Sequence, residues 1–98
     1  MNLENFIALK MFKMKEVAPY YGLKFQSLDG GYYGNWDLNN LDTWFDEQDG
    51  LIKFLPTLEI TYTNEYVVSF KDYQATSSSL TTALITLLTK LQGDNYEF

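Results

Sequence analysis

The stretch NWDLNNLDTWFDEQDG, residues 35–50, sets five carboxylates among two tryptophans and a phenylalanine without a single lysine. Carboxylates this close invite two chemistries. Glycoside hydrolysis needs a pair flanking a sugar, with one pKa raised by its surroundings. The spacing predicts a short helix near 40–48, on which Asp42 and Asp46 stand one turn apart on the solvent side, away from any pocket that would raise either. Calcium needs oxygen ligands at alternate loop positions, a glycine at the sixth and a glutamate at the twelfth. Counting from Asp37, Asn39 fits the third place, but Leu41 and Asp42 occupy the fifth and sixth. No calcium motif is met, and only a site outside the motif remains open.

The rest of the composition narrows the chemistry further. The chain has no histidine, cysteine or arginine, and all seven of its cations are lysines. The commonest general base, thiol nucleophiles, disulfides and thiolate metal sites are therefore missing, as is the planar fork that grips phosphates. The sequence points to a protein that is not an enzyme and takes no cofactor or metal. With a formal net charge of −6, it does not suit direct binding of nucleic acid, where cations must meet phosphates.

The charge is unevenly placed. Residues 1–24 carry four lysines against Glu4 and Glu16. Residues 25–52 carry Asp29, Asp37, Asp42, Asp46, Glu47 and Asp49 with no lysine, a net of −6 equal to that of the whole chain. Residues 53–98 carry three lysines against five acids. Asp46 and Glu47 fall in the last turn of the expected short helix and Asp49 follows it, where the helix dipole prefers cations. A charge run is ordinarily a solvated face that confers solubility. A local preference broken without visible gain marks a candidate for function.

Aromatic residues adjoin these acids. Trp44 and Phe45 share the apolar side of the expected short helix with Leu41 and read as core. Trp36 and the pair Tyr32–Tyr33 are less committed, because neighbouring strand residues face opposite ways and one of the two tyrosines must point outward.

The elements that position these groups follow from periodicity. Residues 2–18 read as a helix, with Leu3, Phe6, Ile7, Met11, Met14 and Ala18 on one face, Asn2 as cap and Pro19 as the stop. Residues 23–28 and 32–36 form a hairpin about the turn signal Asp29-Gly30-Gly31. Residues 51–55 read as a short strand ended by Pro56. Residues 58–72 read as a second hairpin, in a register that sets Tyr62 opposite Val68, Ile60 opposite Phe70 and Glu59 opposite Lys71 around a loop at Asn64-Glu65-Tyr66. A helix over about 79–92 carries the stripe Leu80, Ala83, Leu84, Leu87, Leu88 and Leu91, with serines 77–79 as caps and Gly93 at its end. Residues 93–98 read as a loosely held tail.

At 98 residues, 46% apolar and 17% aromatic, the chain reads as a single α+β domain over 1–98. The expectation is a two-layer sandwich in which a mainly antiparallel sheet of four to five strands carries the N- and C-terminal helices on one face. No apolar run reaches the length of a signal peptide or membrane span, which points to the cytoplasm and no membrane partner.

The leading functional expectation is a protein-binding module. Asp29, Asp37, Asp42, Asp46, Glu47 and Asp49, with Trp36 and Tyr33 beside them, would meet a basic protein that handles nucleic acid. Inhibitors of host nucleases carried by phages and other mobile elements, anti-CRISPR proteins among them, in some cases fill such clefts as DNA mimics. No family motif is matched, so the likeness is one of mechanism alone. The second expectation is a small-ligand or carbohydrate-binding domain using Trp36, Tyr32 or Tyr33 and Trp44, with calcium as an option. The third is a structural subunit that assembles, as a homodimer for instance, through a sheet edge or the threonine-rich face of the last helix.

Overall fold

The computed structural model describes residues 2–33, 38 and 50–98, with Tyr20, Tyr32 and Tyr33 described through their backbone alone. The fold is α+β. The chain divides into two compact units, one of residues 1–37 with 97–98 and the other of residues 38–96.

In the first unit, α1 (Leu3–Phe6) continues without a break into a π-helical turn, Ile7–Met11. Asn2 caps it as expected, accepting from the Asn5 amide at 2.8 Å. The helix does not run to residue 18. The wide turn closes with the Phe12 amide on the Ile7 carbonyl at 3.0 Å, and Lys13 then takes a left-handed φ of 56°, the usual way to end a helix. Lys15–Tyr20 form a strand, β1, instead. Val17 favours a strand, and Pro19 forces Ala18 out of helical geometry, so the proline acts inside the strand and not as a helix stop.

β1 pairs antiparallel with β2 (Leu23–Gln26), which pairs with β3 (Tyr32–Tyr33). Tyr20 stands opposite Leu23 across Tyr21-Gly22, whose φ values of 50° and 81° are those of a type I′ hairpin turn. The expected 23–28/32–36 hairpin forms where described, with Phe25 opposite Tyr33 and Gln26 opposite Tyr32. Phe25, Ala8 and Met14 make a buried cluster edged by Leu9 and Phe12, and the ring of Phe98 meets that of Phe6 edge-on at 5.9 Å.

In the second unit, Leu51–Phe54 form a 3-10 turn, not the expected strand. A four-residue segment, Leu51-Ile52-Lys53-Phe54, is too short for its periodicity to choose between the two. Next come β4 (Glu59–Tyr62), β5 (Tyr66–Phe70) and β6 (Tyr73–Ser77), a three-stranded antiparallel sheet in that order. The β4–β5 register differs from the expected one by two residues: Tyr62 faces Tyr66, Ile60 faces Val68 and Glu59 faces Ser69. A shift of two keeps every side chain on its face, so the face assignment of Ile60, Tyr62, Val68 and Phe70 stands while the loop shortens to Thr63–Glu65.

The last helix, α2 (Leu80–Gly93), is capped by Ser79 and lies against β5 and β6. Ala83, Leu84, Leu87, Leu88 and Leu91 of the expected stripe are buried, as are Val68, Phe70 and Ala75 on the strands. Thr82, Thr86 and Thr89 face outward, and the hydroxyls of Thr86 and Thr89 donate to the carbonyls one turn back. The single four- to five-stranded sheet is thus replaced, among the described residues, by two sheets of three strands. The expected helix near 40–48 lies outside the described residues.

Candidate functional site

Of the eight residues singled out from the sequence, two fall within the described structure. Asp29 lies in the β2–β3 turn, fully exposed. It is held by its own loop: the Ser27 hydroxyl donates to its carboxylate, and the Gly31 amide reaches the same oxygen at 3.2 Å. Gly30, at φ 94°, supplies the left-handed step that closes the turn, and Ser27 and Gly31 complete it with a backbone bond of 2.8 Å. The Ser27 hydroxyl bond, followed by the Gly31 amide, lowers the Asp29 pKa below the ordinary carboxylate value. Asp29 is therefore firmly ionised at neutral pH and also has a structural task. Tyr33 lies two residues beyond the same turn, paired through its backbone with Phe25. Trp36, Asp37, Asp42, Asp46, Glu47 and Asp49 lie outside the described residues, as does Trp44 of the ligand-binding alternative. Only Asp29 and Tyr33 are seen brought together, by one hairpin.

Two further features lie in the second unit. The first joins the β5–β6 turn to the chain after α2. Lys71, at a left-handed φ of 52°, donates from Nζ to the Tyr96 hydroxyl at 2.5 Å and sits 5.4 Å and 5.2 Å from the ring centres of Phe70 and Tyr96. The Tyr73 hydroxyl donates to Asp94 at 3.0 Å, which, as the main cause, raises the tyrosine pKa above its usual value. The Tyr96 ring meets those of Phe70 and Tyr73 edge-on. These partners are more than twenty residues apart in sequence, so no local pattern announces them. Residues 94–96, set down above as part of a loosely held tail, carry these contacts.

The second feature is β4. All four of its residues are exposed, Ile60 by 42% and Tyr62 by 61%. The Tyr62 ring rests against that of Tyr66, with centres 4.7 Å apart. Among the described residues, β4 pairs only with β5, so its other edge is open.

Among the described residues, no group of three or more acidic side chains is placed to hold a metal ion, and no helix is long and apolar enough to cross a membrane. Comparison with protein-family models, with curated proteins and with solved structures gave no match to this chain.

Proposed function

We propose that this protein is a non-enzymatic, acidic protein-binding module whose segment 29–49 docks into the basic cleft of a partner that handles nucleic acid. One observation carries the reading: residues 25–52 hold six acids and no lysine, a net charge equal to that of the entire chain. A concentrated negative segment steers a basic partner over a distance of about a Debye length and then offers charge-assisted hydrogen bonds at contact. Trp36 and Tyr33 add aromatic faces for cation–π contacts with the partner's lysines and arginines. Asp29, ionised and exposed at the start of the segment, adds to the same field. Occupying a nucleic-acid cleft excludes its substrate, so the activity is inhibition by mimicry of a phosphate backbone. Nucleases and transcriptional regulators of a host cell are the partner class, and a phage or other mobile element is the natural source of such an inhibitor.

The test uses the full chain and its variant carrying Asp42→Asn, Asp46→Asn, Glu47→Gln and Asp49→Asn as paired baits in host lysate at low and physiological salt. The wild-type bait is expected to retain basic nucleic-acid-handling proteins at low salt, to lose most of them as salt rises, and to lose them altogether in the variant. Recovery of the same proteins by both baits removes the acidic segment from the interaction.

A further inference from the structure

The outer edge of a sheet is a row of unpaired backbone groups, and folded proteins usually blunt it. β1 carries Pro19 and breaks register between Glu16 and Tyr20. β4 has neither of these two devices. Its four pairs with β5 run without a shift, it contains neither proline nor lysine, and every side chain along it is exposed. Ile60 and Tyr62 lie on the same face as Val68 and Phe70, where α2 covers β5 and β6.

We propose that the free edge of β4 docks a second copy of this chain, antiparallel, with Thr61 opposite the partner's Thr61 on a two-fold axis. The strand is close to self-complementary about that residue. Ile60 then faces the partner's Tyr62 and Tyr62 the partner's Ile60, so both exposed apolar side chains of the strand gain a β-branched or aromatic neighbour, and the two threonines meet on the opposite face. Glu59 meets the partner's Thr63, so no two carboxylates stand directly opposed. Neighbouring registers do worse. A slip of one residue sets Ile60 against Thr61 and throws the two α2 helices onto opposite faces. Centring on Ile60 needs Leu58 opposite Tyr62, and the Leu58 amide is already taken by the Leu55 carbonyl at 2.9 Å.

The result is one six-stranded sheet with both α2 helices on the same side, a closed isologous dimer. A contact three to four residues long is small, so the dimer is weak and forms at high protein concentration. Each copy carries −6, so added salt relieves repulsion and strengthens the dimer, whereas it weakens capture of a basic partner. This inference uses a different surface from segment 29–49 and stands or falls apart from it.

Sedimentation of the full chain over a concentration series, at low salt and at about 0.5 M salt, provides the test. Wild type is expected to move from monomer to dimer as concentration rises, several-fold more readily at high salt. Thr61→Lys and Thr61→Glu each place like charges across the axis and abolish the dimer, and an equal mixture of the two restores it as a heterodimer. A wild-type chain that stays monomeric throughout, a charged variant that dimerises as wild type does, or a mixture that remains monomeric overturns the proposal. Thr61→Cys gives a second measure in a chain without cysteine: air oxidation should yield covalent dimer several-fold faster than for Glu59→Cys. Equal rates contradict the Thr61-centred register.

Discussion

The two three-stranded sheets of this chain share a size and a strand order but treat their outer edges in opposite ways. In the first, β1 carries a proline that has no amide to offer and a register break between Glu16 and Tyr20, and the sheet ends there. In the second, β4 has four unbroken pairs with β5 and all four of its residues are exposed. Their hairpin turns also differ. Tyr21-Gly22 puts a glycine at the second left-handed position, while the β5–β6 turn asks Lys71 to take φ 52° and ties its side chain to Tyr96. Among the described residues, the first edge is interrupted by a proline and a register break, and the second has neither.

The largest effects are expected at the cores. Phe25 under the first sheet is fully buried and Phe70 under the second nearly so. Phe25→Ala and Phe70→Ala are each expected to cost about 3–5 kcal/mol in urea unfolding followed by far-ultraviolet circular dichroism. A loss well below this range in one of them would mean that its sheet is not held by that ring. Next in size are the turn and the caps. Gly22→Ala puts a Cβ at φ 81° with nothing near it to clash, so its cost is purely conformational, about 1 kcal/mol. Ser79→Ala and Asn2→Ala remove helix caps at about 1 kcal/mol each, and Asn2 has the shorter bond of the two, 2.8 Å against 3.4 Å.

Pro19→Val in the Thr61→Lys background probes the β1 edge. Opening β1 in this way is expected to bring back a trace of self-association, visible by sedimentation. No gain would show that the register break alone guards that edge.

The smallest effects lie at the two ends of the pH scale. Asp29 has a lowered pKa in the folded chain, so its contribution is present above its ordinary value of 3.8 and is lost as pH falls through the folded one. Tyr73 has a raised pKa, so its contribution is present below about 10 and is lost as pH rises through the folded value. Asp29→Asn should flatten the acid side of the stability profile, and Tyr73→Phe the alkaline side, each leaving the other unchanged.

Elements with a strong one-sided period were legible. The leucine stripe of α2, its Ser79 cap and the Asp29-Gly30-Gly31 turn all follow from residue type. β1 was hidden because Met14 and Ala18 continue the helical spacing of Leu3–Met11, although Met14 is buried from outside the helix. β6 was missed because Lys71-Asp72 lacks the glycine that marks a tight turn and Tyr73–Ser77 mixes polar with apolar residues. In the β4–β5 hairpin, face parity was legible and loop length was not, since a shift of two residues changes neither face. The Lys71–Tyr96 and Tyr73–Asp94 contacts join distant parts of the chain, and pattern carries no trace of them. Of the acidic segment, the concentration of charge is a property of the sequence, while residues 34–37 and 39–49 lie outside the described structure.

The claim that this segment occupies a nucleic-acid cleft is tested most directly by competition. A basic partner recovered with the wild-type chain is loaded with a fluorescent oligonucleotide, and the chain is titrated in at low salt while anisotropy is followed. Displacement of the oligonucleotide by the wild-type chain is expected, with at least a tenfold higher requirement for the variant lacking the charges of Asp42, Asp46, Glu47 and Asp49, a change of about 1.4 kcal/mol. A stable ternary complex, with oligonucleotide and protein bound together, would contradict it.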